Sequence, residues 1–94
     1  MKNTIIYDPQ NGVSLPDGLI DNYINSIIDA KTKRFKSNDI VIGSELIITA
    51  LRAKVKISEL LQFTVNFNNS LIGIDRNGRI INGVNGFCDN FDRK

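Results

Sequence analysis

The residue types that most often perform catalysis are sparse in this chain of 94 residues. Histidine is absent, which removes the commonest general base and the commonest zinc ligand. The single cysteine, Cys88, therefore lacks a histidine to activate it, and we interpret it as a small buried hydrophobic residue. Asp75, Asp89 and Asp92 could offer oxygen ligands to a hard cation, but their spacing matches no calcium loop. We therefore expect neither a resident metal nor a cofactor.

Two other groups of residues could contact phosphate. Gly12 and Gly18 flank a short loop, but the lysine and the spacing of a phosphate-binding loop are missing, so we interpret this stretch as an ordinary loop. Basic residues gather at and beyond the predicted C-terminal ends of two helices: Lys31, Lys33, Arg34, Lys36, Arg52, Lys54 and Lys56. They suit the negative ends of helix dipoles, and no aromatic residues are interleaved with them to stack on bases. A small nucleic-acid-binding module stays open as an alternative.

The composition predicts one small domain that spans residues 1–94. Its hydrophobic fraction of 41% is typical of a globular chain, and its net charge of +2 does not favour a dedicated nucleic-acid or membrane-surface protein. No apolar run approaches the roughly 20 residues that a membrane span requires. The N-terminus lacks the apolar core of a secretory signal, and a single cysteine excludes an internal disulfide framework. We therefore expect a cytoplasmic protein.

The stretch from Ser37 to Val55 predicts a strand, a sharp turn and a helix. Ile40 to Ile42 form an apolar run without alternation, which is typical of a strand covered on both faces. Ser44 stands where a helix N-cap belongs, and Glu45 lies in the first turn, where the helix dipole favours an anion. Apolar residues then recur at helical spacing: Leu46, Ile47, Ala50, Leu51 and Val55.

The flanking segments extend this alternation of strands and helices. Before it, Thr4–Tyr7 predicts a strand, and an apolar stripe from Leu19 to Ile28 predicts a helix with Ile24 in the core. After it, residues 63–67 alternate apolar and polar, which we interpret as a strand near a sheet edge. Asn77-Gly78 lies between two apolar runs and predicts a hairpin. The order predicts an α/β domain of two or three layers, with a short parallel β-α-β-α-β sheet followed by a C-terminal β-hairpin.

Three stretches resemble, in order and spacing, the C-terminal half of a class of predicted ABC-type ATPases related to the overcoming-lysogenization-defect and Septu-type bacterial defence ATPases. Residues 5–10, followed by Leu15-Pro16, are similar to the Walker B strand and its acidic-Pro-Glu turn. Residues 39–47 are similar to the strand and switch-histidine loop. Residues 72–80 and 86–92 are similar to the C-terminal hairpin and the Gly-Phe-Phe-Asp motif. The resemblance extends from about Thr4 to Asp92.

The departures from this family fall at the positions that carry its chemistry. No segment resembles the Walker A loop, so the phosphate cradle is missing. Tyr7 stands where the metal-binding acid belongs, Gln10 stands near the second acid, and Gly43 replaces the switch histidine. Asp8 is the one acid that remains there, and one carboxylate cannot supply phosphate clamps, a metal site and an oriented water. The resemblance therefore implies a catalytically inactive half-domain without nucleotide-binding residues.

An inactive half-domain of this kind is expected to act by binding another protein. The resemblance implies an ATPase or nuclease partner, with the chain serving as a mimic or accessory subunit, in a setting such as phage–host conflict. A sheet edge left open by the missing half would favour pairing with that partner or with a second copy as a homodimer. The interaction candidates are the large apolar residues Phe63, Val65, Phe67, Phe87 and Phe91. A decayed fragment without a selected role is the third hypothesis.

Overall fold

The computed structural model describes residues 3–81. The chain forms β1 (Thr4–Tyr7), α1 (Asp17–Ile27), β2 (Ile28–Asp29), β3 (Arg34–Phe35), β4 (Val41–Ile42), α2 (Glu45–Lys56), β5 (Phe63–Phe67) and β6 (Ser70–Ile74). Several residues discussed above, namely Phe87, Cys88, Asp89, Phe91 and Asp92, lie outside the described part. No helix within residues 3–81 is long and apolar enough to cross a membrane.

Four strands form one sheet in the order β4-β1-β5-β6. β1 pairs in parallel with both β4 and β5, whereas β5 and β6 are antiparallel. The register places Ile5 opposite Val65, and Val65 opposite Ile72. The predicted α/β class, with a short, mostly parallel sheet followed by a hairpin, is therefore confirmed.

β5, which the sequence places near a sheet edge, lies one strand in from that edge, because β6 of the following hairpin is the outer strand. β1 pairs with one side of β5 and β6 pairs with the other. Phe63, Val65 and Phe67 are buried, with 3%, 0% and 7% of their surface exposed. Alternating apolar residues show that one face of a strand is covered, but they carry no information about its neighbours in the plane of the sheet. The outer strands are β4 and β6.

Two turns build the C-terminal hairpins. Asn68 and Asn69 connect β5 to β6 with φ of 52° and 66°, values that asparagine tolerates better than most residues. The predicted hairpin around residues 75–78 is also present, because Ile74 and Ile80 form an antiparallel bridge. The amide of Ile81 donates to the carbonyl of Gly73 (2.8 Å), so residues 80–81 partly cover the outer side of β6.

Both helices pack on the same face of the sheet. The N-cap prediction is confirmed, because the Ser44 hydroxyl accepts a hydrogen bond from the amide of Leu46 (3.2 Å). Ile24 of α1 and Leu51 of α2 are 1% and 0% exposed, as their spacing predicted. They join a single core that also contains Ile5, Tyr7, Ile20, Ile42, Ile47, Ile48, Val55, Val65, Ile72 and Ile74.

The opposite face of the sheet carries the alternate residues of each strand, those that do not face the helices. Thr4, Ile6 and Thr64 are half-buried there, and Leu71 is exposed. No helix from the described part of the chain covers this face, so residues 3–81 form two layers. The expectation that residues 40–42 are covered on both faces is wrong, since only Ile42 is fully buried. The reason is that β4 is an outer strand with helices on one side only.

Candidate functional sites

The strand end that the resemblance assigns to a nucleotide site begins with Tyr7. Its ring is 7% exposed and packs against Phe67, with ring centroids 5.2 Å apart. Tyr7 therefore fills core space at the position that the resemblance assigns to a metal-binding acid. An aromatic ring in this position supplies packing area and offers no carboxylate to a cation.

The carboxylate of Asp8, the remaining acid, is hydrogen-bonded to residues of its own loop. Its carboxylate accepts hydrogen bonds from the amides of Gln10 (3.0 Å) and Asn11 (3.2 Å) and from the Asn11 side chain (3.1 Å). The Asn11 side chain and the Gln10 amide lower the pKa of Asp8 below its ordinary value, because they stabilise the charged form. The arrangement is an Asx-type turn that closes the segment after β1. The Asp8 carboxylate therefore shapes the loop.

Gly43, at the position that the resemblance assigns to the switch histidine, lies directly against Gly12. A Cβ atom added to Gly43 would lie 2.5 Å from the carbonyl oxygen of Gly12, and one added to Gly12 would lie 2.3 Å from the carbonyl carbon of Ile42. The two backbones are held by Val13, whose amide donates to Val41 O (3.0 Å) and whose carbonyl accepts from Gly43 N (2.8 Å). The space beside position 43 is therefore filled by the chain's own backbone.

The predicted interaction residues divide into two groups. Phe63, Val65 and Phe67 belong to the core, where Phe63 also packs edge-on against Phe35 with centroids 5.3 Å apart. Their side chains face the helices and do not form a surface. Phe87 and Phe91 lie outside the described residues. Exposed apolar side chains are found elsewhere, and Leu71 and Ile81 are 55% and 65% exposed.

Leu71 and Ile81 border a cleft of about 740 Å³ on the second face of the sheet. Thr4 and Thr64 line it as well, and their hydroxyls share a hydrogen bond (2.9 Å). The described lining carries no charged side chain; its other members are Asn3, Asn38, Gln62, Phe63, Gly73 and Ile74. We name this feature the second-face cleft. The sequence did not identify it, because the register between β1, β5 and β6 assembles it.

The basic residues do not form one patch at the helix ends. α1 has no basic residue in its last turn, and Lys31 and Lys33 lie in the β2–β3 hairpin that follows it. Lys54 pairs with Glu59 (3.1 Å) and Asp21 (3.7 Å), so its charge is balanced locally.

The remaining members of the basic group have separate positions. Arg52 Nε donates to the carbonyl of Gly78 (2.8 Å) and so holds the hairpin turn against α2. Lys56 lies in the last turn of α2, as the dipole argument predicted. Lys36 is exposed and follows β3 directly. Arg52 and Lys54 are therefore engaged by other groups of the fold, and the helix ends do not present the seven residues as one patch.

Two of these seven residues, Lys33 and Arg34, share a cleft with a third cation, Arg76, which the sequence did not indicate. Lys33, Arg34 and Arg76 line a cleft of about 540 Å³ at the end of the sheet where β1 and β5 begin. The other lining residues are Asn3, Val55, Ser58, Leu60, Leu61 and Gln62. We name this feature the basic cleft. Arg76 is far from the others in sequence and lies in a turn, so no local pattern links it to them.

Residues 3–81 contain no group of acidic or cysteine side chains arranged to hold a metal ion. Comparison with protein-family models, with curated proteins and with solved structures found no match for this chain. The ATPase resemblance therefore stays a prediction that depends on the three sequence stretches alone.

Proposed function

We propose that this chain is a catalytically inactive, ATPase-like half-domain that acts by binding another protein. Following the motif resemblance, the partner is an ATPase or nuclease, and the chain serves as its mimic or accessory subunit in phage–host conflict. The proposal excludes nucleotide hydrolysis, since Tyr7, Asp8, Gln10 and Gly43 stand where a family member carries its catalytic groups.

The contact between Gly12 and Gly43 is the observation that carries this proposal. Phosphoryl transfer needs open space at the strand end for the phosphates, the metal and an oriented water. Here a Cβ atom at position 43 would lie 2.5 Å from the carbonyl oxygen of Gly12, and Val13 makes hydrogen bonds to the backbone on both sides of Ile42. A side chain at position 43 would have to displace this loop before it could reach a ligand.

The second-face cleft is the surface that best suits a protein partner. Leu71 and Ile81 expose apolar area there, and the described lining carries no charge. Burial of such a surface is favourable against an apolar segment and unfavourable against a charged one, because charges would lose water without gaining a partner. We therefore assign the cleft to an uncharged, apolar segment of the partner protein.

Titration with Mg-ATP tests the inactive half of the proposal. The expected result is no hydrolysis and no saturable heat of binding at the strand end, because it offers no phosphate cradle and no metal acid. Hydrolysis above the rate of a blank, or saturable micromolar binding that persists after Lys33→Asn and Arg76→Gln remove two cations of the basic cleft, would contradict it.

Co-elution with any ATPase or nuclease that the neighbouring genes encode tests the interaction half. Leu71→Asp and Leu46→Asp form a matched pair, because the two leucines are 55% and 47% exposed and lie on opposite layers. We expect Leu71→Asp to abolish co-elution and Leu46→Asp to leave it intact. Equal effects of both variants would rule out the second-face cleft as the interface. Sedimentation velocity of the same variants tests the homodimer prediction in the same way.

A further inference from the structure

The basic cleft is assembled by four separate segments of the chain. Asn3 precedes β1, Lys33 and Arg34 come from the β2–β3 hairpin, and Arg76 comes from the turn after β6. The fourth segment is the connection from α2 to β5, which contributes Ser58, Leu60, Leu61 and Gln62. The helix-side wall includes Val55, which is buried in the core. The cleft therefore depends on the completed fold, and it lies at the opposite end of β1 from Asp8 and Gly43.

The backbone around the cleft is fixed by hydrogen bonds from each segment. The amide of Lys33 donates to Asp29 O (2.7 Å), and the carbonyl of Lys33 accepts from Leu61 N (2.7 Å). Asn3 links two walls, because its side-chain oxygen accepts from Phe35 N (2.8 Å) while its amide group donates to Leu61 O (3.3 Å). A ligand would therefore meet two walls whose backbone positions are already set.

The turn that carries Arg76 is fixed separately by Asp75. The Asp75 carboxylate accepts from the amides of Asn77 (2.8 Å) and Arg79 (3.0 Å), which closes the loop around position 76. These bonds, the Arg79 amide foremost, lower the pKa of Asp75, so its carboxylate is ionised near neutral pH and stays committed to the turn.

The described lining supplies no carboxylate to balance the charges of Lys33 and Arg76. None of the described lining residues is an aspartate or glutamate. The nearby acid Glu59 pairs with Lys54 (3.1 Å). The terminal carbonyls of α2 are also satisfied, since Ala53, Lys54 and Val55 accept from the amides of residues 57–59. The negative end of the helix therefore has little capacity left to neutralise cations.

We propose that the basic cleft binds a phosphate group, with Lys33 and Arg76 as its charged contacts and Ser58 and Gln62 as polar donors. Arg34 has an interaction of its own, so the ligand contacts are not assigned to it. Guanidinium and ammonium groups together suit an anion with several oxygens, because arginine bonds in a forked geometry and lysine acts as a compact charge. A volume of about 540 Å³ exceeds that of a single ion and suits a phosphate carried on a larger molecule.

Two sources share this chemistry, a pyrophosphate-bearing small molecule and the backbone of a single-stranded nucleic acid. The experiment therefore uses two probes, inorganic pyrophosphate and a short oligothymidylate, each titrated into the labelled protein and followed by amide chemical shifts. The shifts of Lys33, Ser58 and Arg76 are expected to move together. Pyrophosphate saturation identifies a small-molecule site, and saturation by the oligonucleotide alone identifies the nucleic acid.

Matched charge variants separate a site from a general electrostatic field. Lys33→Asn with Arg76→Gln removes two charges inside the cleft, and asparagine suits the φ of 60° at position 33. Lys31→Gln with Lys36→Gln removes two charges from the same region outside the described lining. We expect the first pair to weaken probe binding about tenfold or more, since two charge-assisted contacts are lost, and the second pair to change it about twofold through long-range electrostatics.

Three results would overturn the proposal: neither probe binds, both variant pairs weaken binding equally, or neither pair weakens it. Arg76→Gln alone guards against misfolding, because Arg76 is exposed in a turn and its replacement leaves the Asp75 bonds in place. The inference is independent of the proposed protein partner. Loss of phosphate binding in these variants with intact co-elution of the partner distinguishes the two.

Discussion

Gly43→Ala is the sharpest test of the closed strand end. The new Cβ would lie 2.5 Å from the Gly12 carbonyl oxygen and 2.8 Å from its carbonyl carbon, well inside van der Waals contact. Both neighbours are backbone atoms, so no side-chain rotation can relieve the overlap. Either the loop from residue 8 to residue 13 shifts, or strand β4 does.

The expected loss of stability is set by whichever of these two movements requires less free energy. Overpacking of this kind costs about 1–3 kcal/mol. Release of the loop would instead sacrifice the two hydrogen bonds of Val13, at about 0.5–1.5 kcal/mol each. Alanine also lowers the conformational entropy of the unfolded chain, which offsets about 0.4–1 kcal/mol of this loss. The free energy of unfolding should therefore fall by about 1–2 kcal/mol.

Gly18→Ala is the matched control, because a Cβ added there meets no atom within 4 Å. Gly18 lies in the first turn of α1, where alanine is the better helix former, so this variant should be as stable as the parent or more stable by up to about 1 kcal/mol. Urea denaturation measures both variants. If the urea midpoint of Gly43→Ala equals that of Gly18→Ala, the tight contact between Gly43 and Gly12 is refuted, and the closed strand end with it.

Three further predictions concern the core, a turn and an acid. Leu51→Ala should lower the free energy of unfolding by about 2–5 kcal/mol, because the side chain is 0% exposed. Leu46→Ala should lower it far less, because that side chain is 47% exposed. Equal urea midpoints for the two variants would disprove the assigned helix face. Asn69→Ala should cost about 1 kcal/mol, since φ is 66°, and Asn69→Gly should not, as paired thermal melts would show. Asp8 has a lowered pKa when folded, so its contribution to stability is present near neutral pH and is lost as the pH falls through that value. Asp8→Asn should therefore lose less stability on acidification from neutral pH to about pH 3, and an unchanged pH profile would argue against the Asx-type turn.

Local signals predicted the helices well. The spacing of Ile20 and Ile24, and that of Ile47 and Leu51, placed the buried stripes of α1 and α2, because side chains three or four apart share a helix face. Ser44 was identified as an N-cap from its own chemistry and its place before an apolar run. Such features depend on residues close in sequence, so the sequence contains all the information they require.

The candidate sites, in contrast, depend on contacts between residues that are far apart in sequence. The sequence showed that Gly43 cannot act as a switch histidine, but not that Gly12 lies against it. It placed Lys33 and Arg34 in a basic cluster, but it gave no reason to join Arg76 to them. The short β2–β3 hairpin was missed, because two-residue strands contain too few positions to show alternation.

The sequence by itself determined the two helices, the main strands and the apolar face of each helix, and it shows that histidine and a Walker A motif are absent. Only the tertiary structure decided the strand order β4-β1-β5-β6, which places β6 at the edge and β5 next to it. It also decided which loops meet at each end of the sheet, and so created the second-face cleft and the basic cleft. The physical reason is that periodicity and capping arise from neighbours along the chain, whereas strand order and loop convergence depend on burial between segments far apart in sequence.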